Sequence, residues 1–141
     1  MDGYRHVLEI AVRFKDVDMM GHVNHANYLT YVEDARLKYY DAVFGTNTDW
    51  HTQHGLIMAR IEIDYKLAIR FDDIIKVSTK CTKLGHKSFE MEWIIAKHSN
   101  QIELIAAQGK AIIVCYDYEL NKAIDIPAER RLMLTEYEGL R

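Results

Sequence analysis

Proline and glycine are scarce in this sequence: the only proline in 141 residues is Pro127, and there are seven glycines. So few turn-forming residues leave little material for a flexible linker, and the chain contains no internal repeat or low-complexity segment. A length of 141 residues suits one compact domain and is short for two ordinary ones. We therefore expect a single domain spanning residues 1–141.

Long apolar runs and an excess of positive charge are also missing. No run approaches the roughly 18 residues needed to cross a bilayer, and residues 1–6 lack the apolar core of a signal peptide. The formal net charge of -3 and the pI near 6.1 provide no surplus of Lys and Arg to neutralise nucleic-acid phosphates. The sequence predicts a cytoplasmic protein with no membrane span and no nucleic-acid partner.

Cysteine occurs only twice, at Cys81 and Cys115, and both lie inside apolar, strand-like runs. This spacing is far from any C-x-x-C pattern, so a disulfide framework or a cysteine-based zinc site is not expected. We interpret both as reduced core residues.

The spacing H-x-x-H occurs twice, as His22 with His25 and as His51 with His54. Two histidines three residues apart on a helix share a face, so both can bind one metal ion. His22, however, is predicted to precede the helix. Because no HExxH sequence or cysteine ligand accompanies either pair, we expect no metal and no other cofactor.

Hydrophobic periodicity predicts one long helix among several strands. Apolar residues alternate over 7–14, with Leu8, Ile10, Val12 and Phe14 on the inward face. A helical pattern then runs to residue 44, with Asn24 as its N-cap and Gly45 as its stop. Further strands are predicted at 57–65, 74–84, 88–97 and 104–116, and a short helix after Pro127.

Short connections favour antiparallel neighbours: Gly85-His86 suits a type II′ turn, and residues 99–101 form a second turn signal. The long helix has no apolar surface to pack against other than the sheet. The predicted fold class is α+β, a hotdog fold in which a curved antiparallel sheet wraps around one long central helix.

The loop before the long helix is the densest group of reactive side chains in the sequence. It holds Asp16, Asp18, His22 and His25 beside a predicted helix N-terminus. The first turn of a helix presents unpaired N–H groups to a developing oxyanion, and an upstream carboxylate can attack an acyl group or activate water. The competing interpretation is that both aspartates only turn or cap the loop.

The run D-V-D-M-M-G-H-V-N-H-A-N-Y-L-x-Y-x-E-x-A-R over residues 16–36 resembles the signature of the 4-hydroxybenzoyl-CoA thioesterase-type hotdog family, which includes the acyl-CoA thioesterases associated with the Tol-Pal system. The resemblance implies that Asp18 is the catalytic carboxylate and that the backbone N–H near His25 polarises the thioester carbonyl. The block 83–89, K-L-G-H-K-S-F, resembles the hairpin by which the family meets the nucleotide end of coenzyme A. The substrate-binding residues implied by this block are Lys83, His86, Lys87 and Ser88.

Two departures from the family pattern bear on the substrate. Met19-Met20-Gly21 follows Asp18 where the 4-hydroxybenzoyl-CoA enzymes have Pro-Ala-Gly, and Asn24-His25 replaces their Trp-Tyr pair. A benzoyl substrate is therefore not expected. The resemblance instead gives His25 a supporting role beside Asp18, or leaves it simply the first helical residue. Asp16 is assigned to loop geometry.

The sequence thus predicts an acyl-CoA thioesterase, with Asp18 as nucleophile or as general base. The alternatives are a hotdog enoyl-acyl hydratase or dehydratase, which would use His25 with Asp18, and a non-catalytic acyl-CoA-binding module. An edge strand left by a lone sheet predicts a homodimer or homotetramer, as in hotdog relatives.

Overall fold

The computed structural model describes residues 3–46, 50 and 53–140. The elements follow in the order β1 (His6–Ala11), a 3₁₀ turn (Phe14–Asp16), α1 (His25–Phe44), β2 (Gly55–Tyr65), β3 (Ile74–Leu84), β4 (Ser88–Ser99), β5 (Ile102–Asp117), β6 (Lys122–Ala123) and α2 (Ala128–Glu138). No helix among these residues is both long and apolar enough to cross a membrane.

All strand pairs are antiparallel, and the sheet order is β1-β3-β4-β5-β2, with the short β6 pairing beside the end of β5. The long helix α1 lies against β1, β3 and β4. This arrangement confirms the predicted hotdog fold. It leaves β1 and β2 as the two edges of the sheet, and β2 with its 11 residues is the longer edge.

The core runs along the buried face of α1 in two parts. Tyr28 and Tyr31 pack in the part near the start of the helix, and Tyr39 and Tyr40 in the part near its end. The helical spacing of these four tyrosines predicts that they are packing residues, and their burial confirms this. The predicted core position of the two cysteines is also confirmed, since both are buried.

The ends of both helices follow from their capping residues. Asn24 adopts extended backbone and its Oδ1 accepts a hydrogen bond of 3.0 Å from the N–H of Ala26. Gly45 follows the last turn at a φ of 89°, a conformation that glycine takes without strain. The predicted N-cap and stop are therefore confirmed, as is a short helix directly after Pro127.

Two local predictions are wrong. The first strand ends at Ala11, and Phe14, predicted to face inward, begins the 3₁₀ turn and is 82% exposed. The chain leaves the sheet there because the Asp16 carboxylate accepts the N–H of Arg13 and closes a turn. The type II′ turn at Gly85-His86 does not form either, since residues 85–87 all lie outside the strands and Gly85 lacks the positive φ that this turn needs.

The second turn signal is confirmed. Asn100 and Gln101 connect β4 to β5 with φ values of 51° and 64°, and Ser99 pairs with Ile102 across them. Positive φ at both central positions is typical of a two-residue hairpin turn that matches the twist of its strands.

Candidate active site

Asp16 is the anchor of the loop that precedes α1. Its side chain is only 2% exposed, and its Oδ2 accepts hydrogen bonds from the Tyr31 hydroxyl (2.8 Å) and the Arg13 N–H (3.1 Å). Its backbone carbonyl accepts two more, from the N–H of Asn24 and the side-chain amide of Asn27. Every one of these bonds ties the loop to itself or to α1, which fits the loop-fixing role expected for Asp16.

The same contacts determine the charge of Asp16. Burial by itself would raise the pKa of this carboxyl, but the hydrogen bonds from Arg13 and Tyr31 hold the pKa below its ordinary value. The Tyr31 hydroxyl responds in the opposite direction, because burial and the adjacent carboxylate raise its pKa. Asp16 is therefore an ionised, fully engaged carboxylate at neutral pH.

Asp18, two residues further on, has a different environment. It is half-buried, and its Oδ1 accepts a hydrogen bond of 2.9 Å from the N–H of Met20 in a tight turn. The turn is closed by the Asp18 N–H, which donates to the His22 carbonyl at 2.8 Å. No donor among the described residues contacts Asp18 Oδ2 within hydrogen-bond distance. The turn thus holds the carboxylate in place and leaves one oxygen for a reactant.

The loop that carries Asp18 is fixed against residues 66–70. The N–H of Val23 donates to the Ile69 carbonyl at 2.7 Å, and His22 forms an antiparallel bridge with Arg70. The Tyr28 hydroxyl donates to the Leu67 carbonyl and accepts from the Ile69 N–H. Residues 66–70 are therefore held both by the Asp18 loop and by α1.

Lys97 on β4 also holds residues 66–70 in place. The ammonium of Lys97 donates to the Ala68 carbonyl at 2.7 Å and pairs with Asp73 at 3.2 Å. Sequence reasoning does not single out Lys97, because its partners lie more than 20 residues away along the chain.

These loops border an open cavity of 360 Å³ beside the start of α1. Its walls are formed by Asp18, Met20, His22, Val23, His25, Tyr28, Tyr65 and residues 66–68. Tyr65, at the end of β2, was not predicted to lie here; its hydroxyl donates to the His25 carbonyl at 3.2 Å and its ring meets the His25 ring edge-on at 6.2 Å. Both predicted catalytic residues, Asp18 and His25, therefore line one cavity.

The first turn of α1 begins at His25, which lines this cavity. Asn24 caps the Ala26 N–H with its side chain, and the Asn27 N–H donates to the Asn24 carbonyl. The N–H of His25 has no acceptor among the described residues. A free N–H at a helix N-terminus suits an oxygen that becomes negative during acyl transfer. The imidazole of His25 is itself exposed.

No group of three or more His, Cys, Asp or Glu side chains able to hold a metal ion occurs in the part of the chain that the structure describes. Asp18, His22 and His25 all line the cavity, but among the described residues they do not come together as a group that could hold a metal ion. The other H-x-x-H pair cannot be compared with the structure, since His51 lies outside the described residues.

The predicted coenzyme A hairpin lies at the end of β3 that is far from Asp18. Lys83, His86 and Lys87 are exposed and Ser88 begins β4, where the His86 carbonyl accepts the N–H of Ile126 ahead of α2. The strand β3 runs from the Asp18 end to this hairpin, and its 11 residues span about 36 Å. Within one chain the two predicted halves of the site do not meet.

A second, more apolar cavity of 470 Å³ lies beside the last turns of α1. It is lined by Leu37, Tyr40, Trp50, Leu56 and Tyr118. No sequence pattern indicates this cavity, because its walls come from one helix, one strand start and two loops that are distant along the chain.

The chain is similar to known proteins over most of its length. Residues 12–134 match the sequence profile of the thioesterase-like superfamily. The long-chain acyl-CoA thioesterase FadM of Escherichia coli K12 is 26% identical over 131 residues, covering 91% of this chain and 96% of that protein. The acyl-CoA thioesterase YbgC of Haemophilus influenzae is 25% identical over 122 residues, covering 85% of this chain and 87% of that protein.

Among solved structures, a thioesterase from Thermus thermophilus, crystallised with coenzyme A and zinc, superposes with a TM-score of 0.86 at 29% identity. The match covers 100% of this chain and 99% of that one. The agreement therefore extends over the loops that carry Asp18 and the 85–87 connection as well as the sheet and helix.

Proposed function

The chain belongs to the thioesterase-like superfamily, and from that premise we propose that it hydrolyses the thioester bond of an acyl-CoA, with Asp18 as the catalytic carboxylate. The observation that carries the proposal is the cavity at the start of α1, which is lined by both Asp18 and His25. Among the described residues, Oδ2 of Asp18 has no hydrogen-bond donor and the N–H of His25 has no acceptor. A carboxylate and a preorganised donor are the two groups that acyl transfer needs.

In the proposed reaction the thioester carbonyl oxygen accepts the His25 N–H. Asp18 then either attacks the carbonyl carbon, forming an anhydride that water opens, or removes a proton from the water that attacks. On both routes the carbonyl oxygen becomes negative beside the helix N-terminus, and collapse of the intermediate releases the thiol of coenzyme A and the free acid. The imidazole of His25 has a supporting position beside this centre, in edge contact with Tyr65.

The names of the relatives support the substrate class. FadM and YbgC are acyl-CoA thioesterases, and the Thermus thermophilus thioesterase was crystallised with coenzyme A. These three proteins share 25–29% of their residues with this chain. The acyl group that this chain accepts depends on the cavities that can hold it.

A homodimer through β2 would unite the two halves of the site. β2 is a free edge of the sheet, and it carries Arg60 and Glu62 on its exposed face, 3.2 Å apart. If two copies pair antiparallel about Ile61, Arg60 of each copy stands opposite Glu62 of the partner subunit. Two opposite-charge pairs then form across the twofold axis, and both edges are covered.

In this pairing the partner subunit's β2 runs in the opposite direction. The start of β2, with Leu56, then lies beside the partner subunit's Tyr65, so the apolar cavity of one copy adjoins the Asp18 cavity of the other. The partner's hairpin also comes to the Asp18 end. The proposed complete site therefore holds the thioester at Asp18 and an apolar acyl chain in the partner's cavity, with the nucleotide end near the partner's hairpin.

The decisive experiment follows thiol release from a panel of acyl-CoA substrates of increasing chain length, beside the hydration of an enoyl-CoA. Thiol release that improves as the chain lengthens enough to fill the apolar cavity is the expected result. Hydration of the enoyl-CoA without thiol release would identify a hydratase instead. Binding of acyl-CoA with neither reaction would identify a non-catalytic binding module.

The cytoplasmic location and the absence of a nucleic-acid partner remain predictions of the sequence. The unpaired state of Cys81 and Cys115 supports a reducing compartment. Sedimentation can distinguish a homodimer from a homotetramer. The proposed pairing through β2 supports the dimer.

A further inference from the structure

We propose that Tyr65, the last residue of β2, is a positioning residue for the thioesterase reaction: its hydroxyl holds the backbone of His25, whose N–H is the proposed donor to the thioester carbonyl. The inference rests on the proposed function and deepens it, since it gives a role to a side chain outside the Asp18 motif. The hydroxyl donates a hydrogen bond of 3.2 Å to the His25 carbonyl. An edge strand of the sheet is thereby joined to the first residue of α1, 40 positions earlier in the chain.

The backbone of His25 has few other contacts that could fix it. The residues on either side are held by the preceding loop: the Asn24 N–H donates to the Asp16 carbonyl at 2.9 Å, and the Asn24 side chain caps the Ala26 N–H. Among the described residues, the Tyr65 hydroxyl is the only group outside α1 that forms a hydrogen bond with His25. Because the first turn of a helix leaves its N–H groups without internal partners, its order depends on bonds from outside the helix.

Tyr65 is itself held in place, although it is 46% exposed. Its ring meets the ring of Tyr28 edge-on at 5.1 Å, and Tyr28 is buried with its hydroxyl bound to the backbone of residues 67 and 69. Directly after Tyr65, the N–H groups of residues 66 and 67 both donate to the Ala106 carbonyl, at 2.8 and 3.1 Å. Since the side chain is fixed in this way, its hydroxyl loses little conformational entropy when it binds the His25 carbonyl.

A fixed His25 backbone affects the chemical step rather than the binding of substrate. A donor to the carbonyl oxygen stabilises the charge that develops in the transition state, and it does so best when it does not have to reorganise. If the first turn of α1 moves, part of this stabilisation is lost while the ground-state complex is unchanged. Loss of the Tyr65 hydroxyl should therefore lower kcat and leave KM as it is, whereas loss of a group that binds the substrate raises KM.

The first test is Tyr65→Phe, which removes the hydroxyl and keeps the ring against His25 and Tyr28. We expect kcat for a good acyl-CoA substrate to fall by about tenfold, with KM within about twofold of the wild type, since one hydrogen bond is lost. A wild-type kcat would overturn the inference. A raised KM with kcat unchanged would also overturn it, because the hydroxyl would then bind the substrate directly.

The His25→Ala background separates the backbone of His25 from its imidazole, which meets the Tyr65 ring edge-on at 6.2 Å. Alanine keeps the carbonyl that the hydroxyl contacts and removes the imidazole. The loss of about tenfold in kcat caused by Tyr65→Phe should therefore recur when His25→Ala is already present. If the loss disappeared in that background, Tyr65 would act through the imidazole, and its action on the backbone would be refuted.

Tyr39→Phe is the matched control for a general loss of stability. Tyr39 lies on the same helix towards its other end, and its hydroxyl donates to Oε2 of Glu138 at 2.7 Å. Tyr39→Phe thus removes a hydroxyl hydrogen bond from α1 without touching the first turn or the Asp18 cavity, and kcat should stay as in the wild type. An equal fall in kcat for both variants would mean that any loosening of α1 lowers turnover, and the specific role of Tyr65 would be refuted.

Backbone relaxation measured by NMR in the absence of substrate separates this inference from the proposed reaction. We expect the order parameter of the His25 N–H to lie near the roughly 0.85 of rigid backbone in wild-type protein and in Tyr39→Phe, and to fall below it in Tyr65→Phe. An unchanged order parameter in Tyr65→Phe would overturn the inference, whatever the thioesterase assays show. A fall in the order parameter with no thiol release by wild-type protein would refute the proposed reaction and still support Tyr65 as the residue that orders the first turn of α1.

Discussion

The hydroxyl of Tyr31, on the buried face of α1, donates a hydrogen bond of 2.8 Å to Oδ2 of Asp16. Because Asp16 is bound in this way to the helix and to Arg13, it has no oxygen left for a substrate. Asp18 follows two residues later, and only its Oδ1 is engaged, by the turn that it closes. The two carboxylates of this short loop therefore differ in their contacts, and we propose that only Asp18 is reactive.

The first prediction concerns Asp18, the proposed catalytic carboxylate. Asp18→Asn keeps the size and hydrogen-bonding capacity of the side chain but removes the negative charge and the ability to accept a proton. We expect kcat for a good acyl-CoA substrate to fall by at least about 10²-fold. The unfolding midpoint should change little, since the amide oxygen can still accept the Met20 N–H.

His25→Ala serves as the comparison in the same assay. Because His25 contributes its backbone N–H, which alanine retains, the loss in kcat should be clearly smaller than for Asp18→Asn. Near-wild-type turnover by a folded Asp18→Asn protein would refute the mechanism. A complete loss in Asp16→Asn with activity retained in Asp18→Asn would show that the catalytic position had been assigned two residues too late.

The second prediction concerns stability and its dependence on pH. Asp16→Asn removes a buried charge that accepts hydrogen bonds from Tyr31 and Arg13, and should lower the free energy of unfolding by about 2 kcal/mol at pH 7. The pKa of Asp16 is lower in the folded protein than in the unfolded chain, so its contribution is complete above the unfolded value, near pH 4. It disappears as the pH falls through the lower folded pKa.

Denaturant unfolding of both proteins between pH 2.5 and pH 7 measures this dependence. The difference between wild type and Asp16→Asn should be constant above about pH 5 and should narrow below about pH 4. A difference that stayed constant down to the most acidic condition would mean that the ionised carboxylate is not what stabilises the loop.

The third prediction tests pairing between two copies through β2. Arg60→Glu places like charges opposite each other twice across the twofold axis, and should weaken the dimer by about tenfold. Glu62→Arg should do the same. The double variant, Arg60→Glu with Glu62→Arg, exchanges the charges and should restore association.

Sedimentation at a series of protein concentrations measures these dissociation constants. Because the exposed pair within one chain contributes little to folding, thermal unfolding of each chain should be nearly unaffected at saturating concentration. If both single variants associated like the wild type, β2 would not be the interface in the proposed register.

The fourth prediction concerns Gly109, in the middle of β5. A Cβ there would overlap the Glu62 carbonyl on β2 and the ring of Trp93 on β4. Neither can move away cheaply, because one is backbone and the other is buried in the core. Gly109→Ala should therefore destabilise the fold by about 3 kcal/mol, measured by denaturant unfolding.

Lys110→Ala, at the next and outward-facing position, is the control for that variant. Its partners Glu90 and Glu92 lie 3.7 Å away on an exposed face, so the expected change is below about 1 kcal/mol. Equal, small effects of both variants would show that the sheet accommodates a Cβ at residue 109.

Local features of the chain were determined by the sequence alone. The helix could be placed from its spacing, from Asn24 and from Gly45, because a capping side chain and the residues it caps are adjacent along the chain. The strands followed from period-two alternation. The assignment of Asp18 followed from the resemblance of residues 16–36 to a family signature. Phe14 was placed wrongly for the complementary reason: the alternation continues through it, but the Asp16 carboxylate closes a turn that hydrophobicity does not register.

The tertiary structure alone decided how these pieces relate to one another. The family resemblance implied that Asp18 and residues 83–88 bind one substrate, yet within one chain the length of β3 separates the two. Tyr65 and Lys97 reach the site through strand register, and such contacts between distant segments leave no periodic signal in the chain. The physical reason is that the walls of a cavity come from several elements that are distant along the chain, whereas a sequence pattern reports on one element at a time.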